Sequence, residues 1–376
     1  MWIDLAIKVA LAMVMMLIVI NIGGIHSWVE RKQSAVIQDR WGANRAGFTI
    51  EWGPMRWFNW VLRPIIYLGL LQPIADLIKL AVKENWSPPG GMRWLHAAAP
   101  FMYIVFAMVG FAAIPFGDVL HVFGRDIVLQ VASLNVGIIY IFAMAGLGVY
   151  GIVLAGVSSN NNYSFLGGVR ASSQMISYEV TLGATVIGIV MIYGTLDLQE
   201  IVRGQGAMLW GWLPKWGVLV QPVGFILFMT AAIAETKRVP FDLPEGESEI
   251  IGYFVEYSGT KFGMFLLADF IETVMVAALC TTLFFGGWQV PYLEASGWLF
   301  PWGSQVAVGH GWVVTMQFIS FLIKVIAFCW LLMTIRWTLP RFRYDQLMDL
   351  GWKRMLPVSL ANIAVTGLVI LLVEAL

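Results

Sequence analysis

Four ionisable side chains stand out inside long apolar stretches of this sequence: Glu179, Asp269, Glu272 and Lys324. A charged group at membrane depth costs at least about 2.5 kcal/mol, so such residues usually have a function. Burial and neighbouring charges move the pKa of a carboxyl group, and these acids therefore have the chemistry to exchange protons near neutral pH. Asp269 and Glu272 are three residues apart, which predicts that they share one helix face. The alternative for Lys324 is that it pairs with one of these acids only as a structural cation.

A second set of acids lies in residues 235–261, here called loop five. Pro240 and Pro244 bracket residues 241–243 and predict an extended turn rather than a helix. An acidic run of this kind is usually a solvated loop, but Glu235 stands at the end of an apolar stretch and could join the loop to the intramembrane acids. A continuous carboxylate chain is the functional hypothesis. The loop holds the acids Glu235, Asp242, Glu245, Glu247, Glu249 and Glu256, and the bases Lys237, Arg238 and Lys261.

The composition indicates what must position these residues. Of the 376 residues, 59% are hydrophobic and 12% are charged, whereas soluble domains carry about 25% charged residues. Residues 97–116 and 136–157 contain no Asp, Glu, Lys or Arg. About 20 apolar residues cross a hydrocarbon core, and they must be helical because lipid cannot satisfy exposed backbone groups. The predicted fold is an all-α integral membrane protein.

About eight transmembrane helices are predicted in a single membrane domain, residues 1–376. The first apolar stretch is too long for a signal peptide and has no small-residue cleavage site, so we expect it to be retained. The spans are residues 2–28, 97–116, 136–157, 171–193, 218–234, 262–288, 312–335 and 357–373.

The basic residues predict the orientation. Eighteen Lys and Arg residues fall in the odd-numbered connections and three in the even-numbered ones, and basic loops face the cytoplasm. Both termini are then periplasmic, and the predicted cytoplasmic loops are residues 29–96 (loop one), 158–170, 235–261 and 336–356.

An amphipathic helix is predicted within loop one, at residues 73–84, with a proline in its first turn. Such a helix lies in the membrane interface or against a partner protein; a plain interfacial anchor is the simpler alternative. Its apolar stripe is Ile74, Leu77, Ile78 and Ala81, and its polar side carries Asp76, Lys79 and Lys83.

No redox cofactor can be assigned to this chain. Cys280 and Cys329 lie inside apolar spans without metal-ligand spacing and are interpreted as core residues. The four histidines have no paired spacing, and no strand pattern or phosphate-binding glycine loop is found. Electrons would have to come from another subunit. The net charge of zero gives no argument for binding nucleic acid.

Several long motifs of unusual composition run along residues 28–357. The strongest is AETKRVPFDLPEGESE at residues 234–249, followed by EYSG at 256–259. Others are ERK at 30–32, QPIAD at 72–76, NNNYSFLGGVRASSQMISYE at 160–179 and LPRFRYDQLM at 339–348. With these motifs the chain resembles the H-type membrane subunit of respiratory complex I, the family that includes the first mitochondrially encoded subunit.

The resemblance implies a subunit of a proton-translocating NADH:quinone oxidoreductase that forms the membrane side of the quinone tunnel. Quinone is the implied substrate, while NADH, FMN and iron–sulfur clusters are expected in partner subunits of the peripheral arm. Antiporter-like and small membrane subunits are further implied partners, in a bacterial inner membrane. The implied coupling chain contains Glu179, Glu235, Asp242, Glu245, Glu247, Glu249, Glu256 and Asp269, to which Glu272 and Lys324 are added as buried charges. The implied quinone site contains Glu30, Arg31, Asp76 and Phe241.

The chain departs from the family pattern at several positions. Lys237 stands where Asn is usual, and Gly42-Ala43-Asn44 where Gly-Pro-Asn is usual. Asp269-Phe270 replaces Glu-Tyr, and Glu272 replaces a common Asn. These changes leave open the residue-level proton path. A related hydrogenase or non-NADH quinone reductase subunit, an autonomous ion transporter and a structural anchor are the alternative functions.

Overall fold

The structure is a computed structural model that describes residues 2–47, 53, 57–122, 124–209, 211–246, 250–294, 297–302 and 304–375. Seven helical segments in this described part are long and apolar enough to cross a membrane. The chain is an all-α integral membrane protein, which confirms the predicted fold class. The segments are α1 (Trp2–Ile37), α4 (Arg93–Val109, extended by a 3₁₀ turn at Gly110–Ala113), α5 (Gly137–Ser158), α6 (Asn162–Tyr193), α10 (Gly259–Phe284), α11 (His310–Thr338) and Tyr344–Ala375. The last combines α12 (Tyr344–Asp349), a π-helical turn (Leu350–Met355) and α13 (Leu356–Ala375).

Two of these helices extend well beyond the apolar runs that predicted them. The first continues to Ile37, so the ERK motif is helical rather than part of loop one. The fourth begins at Asn162, where the side chain of Asn161 accepts a hydrogen bond from the backbone N–H of Tyr163 and caps the helix. Hydropathy marks only the part of a helix that suits lipid, whereas backbone hydrogen bonding continues into the polar residues at its ends.

The predicted span 218–234 is broken in the structure. It consists of a short turn, α8 (Gly217–Val220), and a 14-residue helix, α9 (Pro222–Glu235). The break is at Gln221, because a residue that precedes proline is driven out of the helical region. The side chain of Gln221 is buried there and contacts Thr366 and Asn362 of α13. At 1.5 Å per residue α9 is about 21 Å long, shorter than the other spans.

Loop one contains two helices joined by a bend of 75°. The predicted amphipathic helix is present as α3 (Gln72–Val82), while α2 (Phe58–Leu68) was not predicted. The apolar stripe of α3 is largely exposed in the isolated chain, with Leu77 exposed by 67%. On the inner side, Leu80 packs close to Gly263 of α10.

Short strands that left no pattern in the sequence are present in the connections between helices. Short antiparallel pairs form there, and a short helix, α7 (Leu198–Gln205), lies among them. They are too short to give a periodic pattern in the sequence. The pairs are β1 (Val119–Val122) with β2 (Arg125–Val128), β3 (Met208–Leu209) with β4 (Leu213–Pro214), and a three-stranded sheet of β5 (Leu293–Glu294), β6 (Gly297–Leu299) and β7 (Gln305–Ala307).

The close packing of α4 on α5 depends on a glycine of α5. A Cβ atom on Gly151 would lie 2.8 Å from Tyr103 Cβ and 3.0 Å from the backbone oxygen of Ala99. Only glycine permits this approach. It fixes the position of Tyr103, which is fully buried and faces α10.

The substitution Gly151→Ala should therefore force α4 away from α5. Overpacking of this kind costs about 1–3 kcal/mol, which should appear as a lower apparent melting temperature of the protein in mild detergent. Gly183→Ala, in α6, is the matched control, because a Cβ there meets nothing within 4 Å. Equal melting temperatures for the two variants would contradict the packing described here.

Candidate functional site

A fully buried lysine, Lys237, lies at the centre of the acidic residues. Its side chain is 0% exposed, and its Nζ donates hydrogen bonds to the hydroxyl of Tyr103 at 2.6 Å and to Asp269 Oδ1 at 3.1 Å. Glu272 Oε2 lies 3.7 Å from the same nitrogen. Asp269 and Glu272 thus face the same cation from one side of α10, as their spacing predicted. In the sequence, Lys237 was noted only as a base of loop five and as a departure from the family.

Two tyrosines complete the surroundings of this ammonium group. Its Nζ lies 4.7 Å from the ring centroid of Tyr103 and 5.7 Å from that of Tyr253. The Tyr103 hydroxyl donates to Asp269 Oδ1 at 2.6 Å. Burial alone would lower the pKa of Lys237, but Asp269, Glu272 and Glu245 together raise it. These carboxylates therefore favour the charged form of the buried side chain.

A small cavity joins this cluster to Glu235. It has a volume of about 40 Å³, lies between α4, α5, α9 and α10, and is lined by Glu235 and Glu272 among apolar residues. Such a volume accommodates two or three water molecules. Glu179 of α6 approaches the neighbouring Gly146 of α5 and interacts electrostatically with Glu235. The structure thus brings Glu179, Glu235 and Glu272 together, where α6 adjoins the cavity formed by α4, α5, α9 and α10.

Two acids of loop five are packed against the helices rather than solvated. Asp242 is 13% exposed and accepts a hydrogen bond from Arg341 at 3.0 Å. Burial raises the pKa of Asp242 to about 6, although Arg341 opposes the change. Burial also raises the pKa of Glu245 to about 8; Asp269 and Asp242 add to this, and Lys237 and Arg238 oppose it. Loop five therefore holds carboxyl groups that titrate near neutral pH.

The remaining predicted loop acids do not all fall in this cluster. Glu247 and Glu249 lie outside the residues that the structure describes. Glu256 accepts a hydrogen bond from the side chain of Asn161 at 2.7 Å. It is the neighbour of Tyr257, whose ring stacks on His96 at 3.9 Å between centroids. Glu256 thus belongs to a separate polar group near the start of α6.

Gln174 holds the turn of loop five in place. Its Nε2 donates to the backbone oxygens of Ala234, at 2.7 Å, and Phe241, at 2.9 Å. Phe241, predicted for the quinone site, is only 4% exposed and packs against the rings of Tyr178 and Phe342. Apart from its place in a long motif, Gln174 carries no signal in the sequence that would have marked it for this role.

Arg238, the residue after Lys237, belongs to a second ionic group. It donates to Glu30 of α1 at 3.3 Å, and Arg336 of α11 donates to the other oxygen of Glu30. Arg31, next along α1, pairs with Asp76 of α3 at 2.7 Å. Three of the residues predicted for the quinone site therefore meet where α1, α3 and α11 approach loop five.

An apolar cavity of about 350 Å³ adjoins this second group. It lies between α1, α3 and α10 and is lined mainly by apolar side chains and glycines, with Asp76 among them. Phe270 forms part of one wall, and its ring centroid lies 4.8 Å from the guanidinium carbon of Arg238. A wider hollow of about 660 Å³ lies at the same end of α1 and is lined by Glu30 and Arg31.

Lys324 does not join the acids. Its Nζ donates to the backbone oxygens of Phe285, Gly287 and Gln289 at 2.9, 3.0 and 2.6 Å, and lies 5.0 Å from the ring centroid of Trp216. These oxygens follow the last turn of α10, where carbonyl groups have no helical partner. The partners of this lysine are carbonyl groups rather than the acid that the sequence suggested.

Comparison with known proteins agrees with the motifs. A family model described as NADH dehydrogenase matches residues 9–367. The chain is 43% identical over 347 residues to the H-type subunit of the NADH-quinone oxidoreductase of Flavobacterium psychrophilum, covering 92% of each chain. It is 40% identical over 372 residues to the corresponding protein of Thermomicrobium roseum, covering 98% of this chain and 97% of the relative. It is 39% identical over 370 residues to the corresponding protein, numbered 1, of Geobacter metallireducens, covering 98% of each.

The substitution Lys324→Met should destabilise the protein, because buried carbonyl groups at the end of α10 lose their donor. The expected cost is about 1–3 kcal/mol, measured as a fall in apparent melting temperature in detergent. Lys353→Met is the control, since Lys353 forms an exposed pair with Asp349 and such pairs contribute little. A Lys324→Met protein as stable as the control would show that these contacts do not support α10.

Proposed function

The chain belongs to the NADH dehydrogenase family and is a membrane subunit of an NADH-quinone oxidoreductase, and we propose that it forms the membrane side of the quinone site and couples quinone reduction to proton translocation. The names of its relatives favour this function over an autonomous transporter or a hydrogenase component. NADH, FMN and iron–sulfur clusters belong to other subunits in this proposal, because the chain contributes ionisable side chains and cavities rather than redox ligands.

The quinone reaches its site through the apolar cavity between α1, α3 and α10. A quinone combines an apolar tail with carbonyl oxygens that accept hydrogen bonds, and sites for such molecules are apolar with a few convergent polar groups. Leu77 and Leu80 of α3 line the cavity, while Arg31 and Arg238 supply donors beyond it. Glu30 and Asp76 hold these two guanidinium groups in place.

The observation that carries the coupling proposal is the position of two consecutive residues. Arg238 belongs to the ionic group beside the quinone cavity, and Lys237 belongs to the acid cluster beside Glu235. A change of charge at the quinone therefore changes the electrostatic potential at the buried acids, which begin only one residue further along the chain. Buried carboxyl groups respond to such a change by taking up or releasing protons.

The proposed proton chain follows the contacts outward from loop five. Asp242 and Glu245 lie at its quinone-facing end, Asp269 and Glu272 form its centre on α10, and the small cavity leads to Glu235 and Glu179. Glu247, Glu249 and Glu256 are proposed members on the family resemblance, whereas Lys324 is assigned a structural role.

The proposed setting follows from the same function. The peripheral-arm subunits with the quinone site and iron–sulfur clusters dock on loop one and loop five, and antiporter-like and small membrane subunits lie beside the helices. The membrane is the bacterial inner membrane, with both termini in the periplasm and loops 29–96, 158–170, 235–261 and 336–356 in the cytoplasm.

The substitution Glu235→Gln should lower NADH-driven quinone reduction and proton pumping by at least about tenfold, because proton-transfer groups typically contribute more than this. Glu179→Gln should act in the same direction. Both rates are measured in inner-membrane vesicles, with assembly followed by the iron–sulfur EPR signal. The exposed Glu294→Gln is the control. Turnover at the wild-type level in both variants would contradict the relay.

The substitution Arg31→Ala should raise the apparent KM for a short-chain quinone several-fold, because a donor beside the cavity is lost and Asp76 loses its partner. The measurement is the quinone dependence of NADH oxidation in the same vesicles. Lys353→Ala removes an exposed cation elsewhere on the chain and should leave KM unchanged. If Arg31→Ala changes neither KM nor rate, Arg31 is not part of the quinone site.

A further inference from the structure

We propose that Lys237 is a movable counter-charge, which passes between Asp269 and Glu272 during turnover and thereby determines which of these two carboxyl groups holds a proton. This inference rests on the proposed coupling function and adds a positioning residue to it. Lys237 keeps its own proton throughout; only its hydrogen-bond partner changes.

The two carboxylates offer unequal but alternative partners to one cation. The Nζ of Lys237 lies 3.1 Å from Asp269 Oδ1 and 3.7 Å from Glu272 Oε2. Among the residues that the structure describes, Glu272 Oε2 is buried, and apart from this 3.7 Å ion pair it has no hydrogen-bond partner. A buried oxygen without a full hydrogen bond is costly, so it favours any movement that brings the ammonium group closer to it. A shift of less than about 1 Å along α10 is enough to bring the 3.7 Å separation into hydrogen-bond range.

The side chain and backbone of Lys237 suit this role. A lysine carries a compact charge on a flexible stem and does not impose the planar, forked geometry of arginine. The backbone of Lys237 has φ of 53°, in the left-handed region, which is costly for a residue with a side chain. The ion pairs with α10 therefore hold a turn that would otherwise relax.

The two partners face different parts of the proposed proton chain. Asp269 accepts a hydrogen bond from the Tyr103 hydroxyl and interacts electrostatically with Glu245 of loop five. Glu272 lines the small cavity together with Glu235. A cation that alternates between them connects the quinone-facing side of the chain to the cavity side.

The resulting proton movement balances. When the ammonium group moves from Asp269 to Glu272, Asp269 loses its counter-charge and takes up one proton from the loop-five side. Glu272 gains the counter-charge and releases one proton through the cavity to Glu235. One proton enters and one leaves, so the total charge of Lys237, Asp269 and Glu272 is unchanged.

The charges that face Lys237 come from every element packed around it. Tyr103 belongs to α4, Asp269 and Glu272 to α10, Glu245 and Tyr253 to loop five, and Glu235 and Arg238 to its own turn. The cation lowers the pKa of Glu245. Its removal should thus raise that pKa further above about 8.

The test uses the whole complex in inner-membrane vesicles and three variants. Lys237→Asn removes the cation. Lys237→Asn combined with Glu272→Asn removes the cation together with one of its two carboxyl partners. Lys237→Arg keeps the charge but binds both carboxylates at once through its fork. Lys353→Asn, which removes an exposed lysine, is the control.

The expected result distinguishes a lysine that moves between the two carboxylates from a lysine that only neutralises their charge. The double variant and Lys237→Arg assemble with the wild-type iron–sulfur signal but pump protons at least about tenfold more slowly. In Lys237→Asn, the pH profile of the remaining proton-pumping rate moves to higher pH, because loss of the cation raises the pKa of Glu245. In Lys237→Arg the pH profile does not move, because the charge is kept.

Two results would overturn the proposal. One is wild-type proton pumping by the double variant or by Lys237→Arg, which would make Lys237 a fixed counter-charge. The other is failure of both to assemble, which would make it a structural cation only. Glu235→Gln in the same vesicles keeps the two proposals apart: if it abolishes pumping while the Lys237 variants pump normally, only the movable lysine is rejected.

Discussion

The burial of one ammonium group among carboxylates is the constraint on which the rest of the site depends. A cation without solvent needs hydrogen-bonded partners of opposite charge, and Lys237 obtains them from α10. That requirement fixes the turn after α9 against α4, where Tyr103 can contact both the lysine and Asp269 only because Gly151 lets α4 lie close to α5. Gln174 then holds the other side of the same turn.

The chain needs no redox group to communicate between its two ionic groups, because they meet within a single dipeptide. Lys237 pairs with the acids of α10, and Arg238 pairs with Glu30 of α1. Electrostatic interactions are strong at this distance in a medium of low dielectric constant. In the proposed function, electron transfer in a partner subunit acts on protons in this chain without a large movement of the helices.

Much of this architecture is predictable from the sequence, and the reasons for the failures are physical. Hydropathy identifies the spans, and the helical period places Asp269 and Glu272 on one face. Neither property gives the rotation of one helix against another, so Lys324 was grouped with acids although it binds carbonyl groups of α10. The contact between Tyr103 and Lys237 joins residues 134 positions apart. Lys237 and Glu272 both depart from the family pattern and carry opposite charges. This was the one signal in the sequence that the two residues compensate each other.

The short length of α9 has a consequence for the membrane itself. A helix of about 21 Å is shorter than a hydrocarbon layer of about 30 Å, so irregular backbone next to it must occupy the difference. Irregular backbone is tolerated at that depth only where protein surrounds it. The turn that follows α9 meets this condition, because Tyr103 of α4, Gln174 of α6 and Asp269 of α10 enclose it.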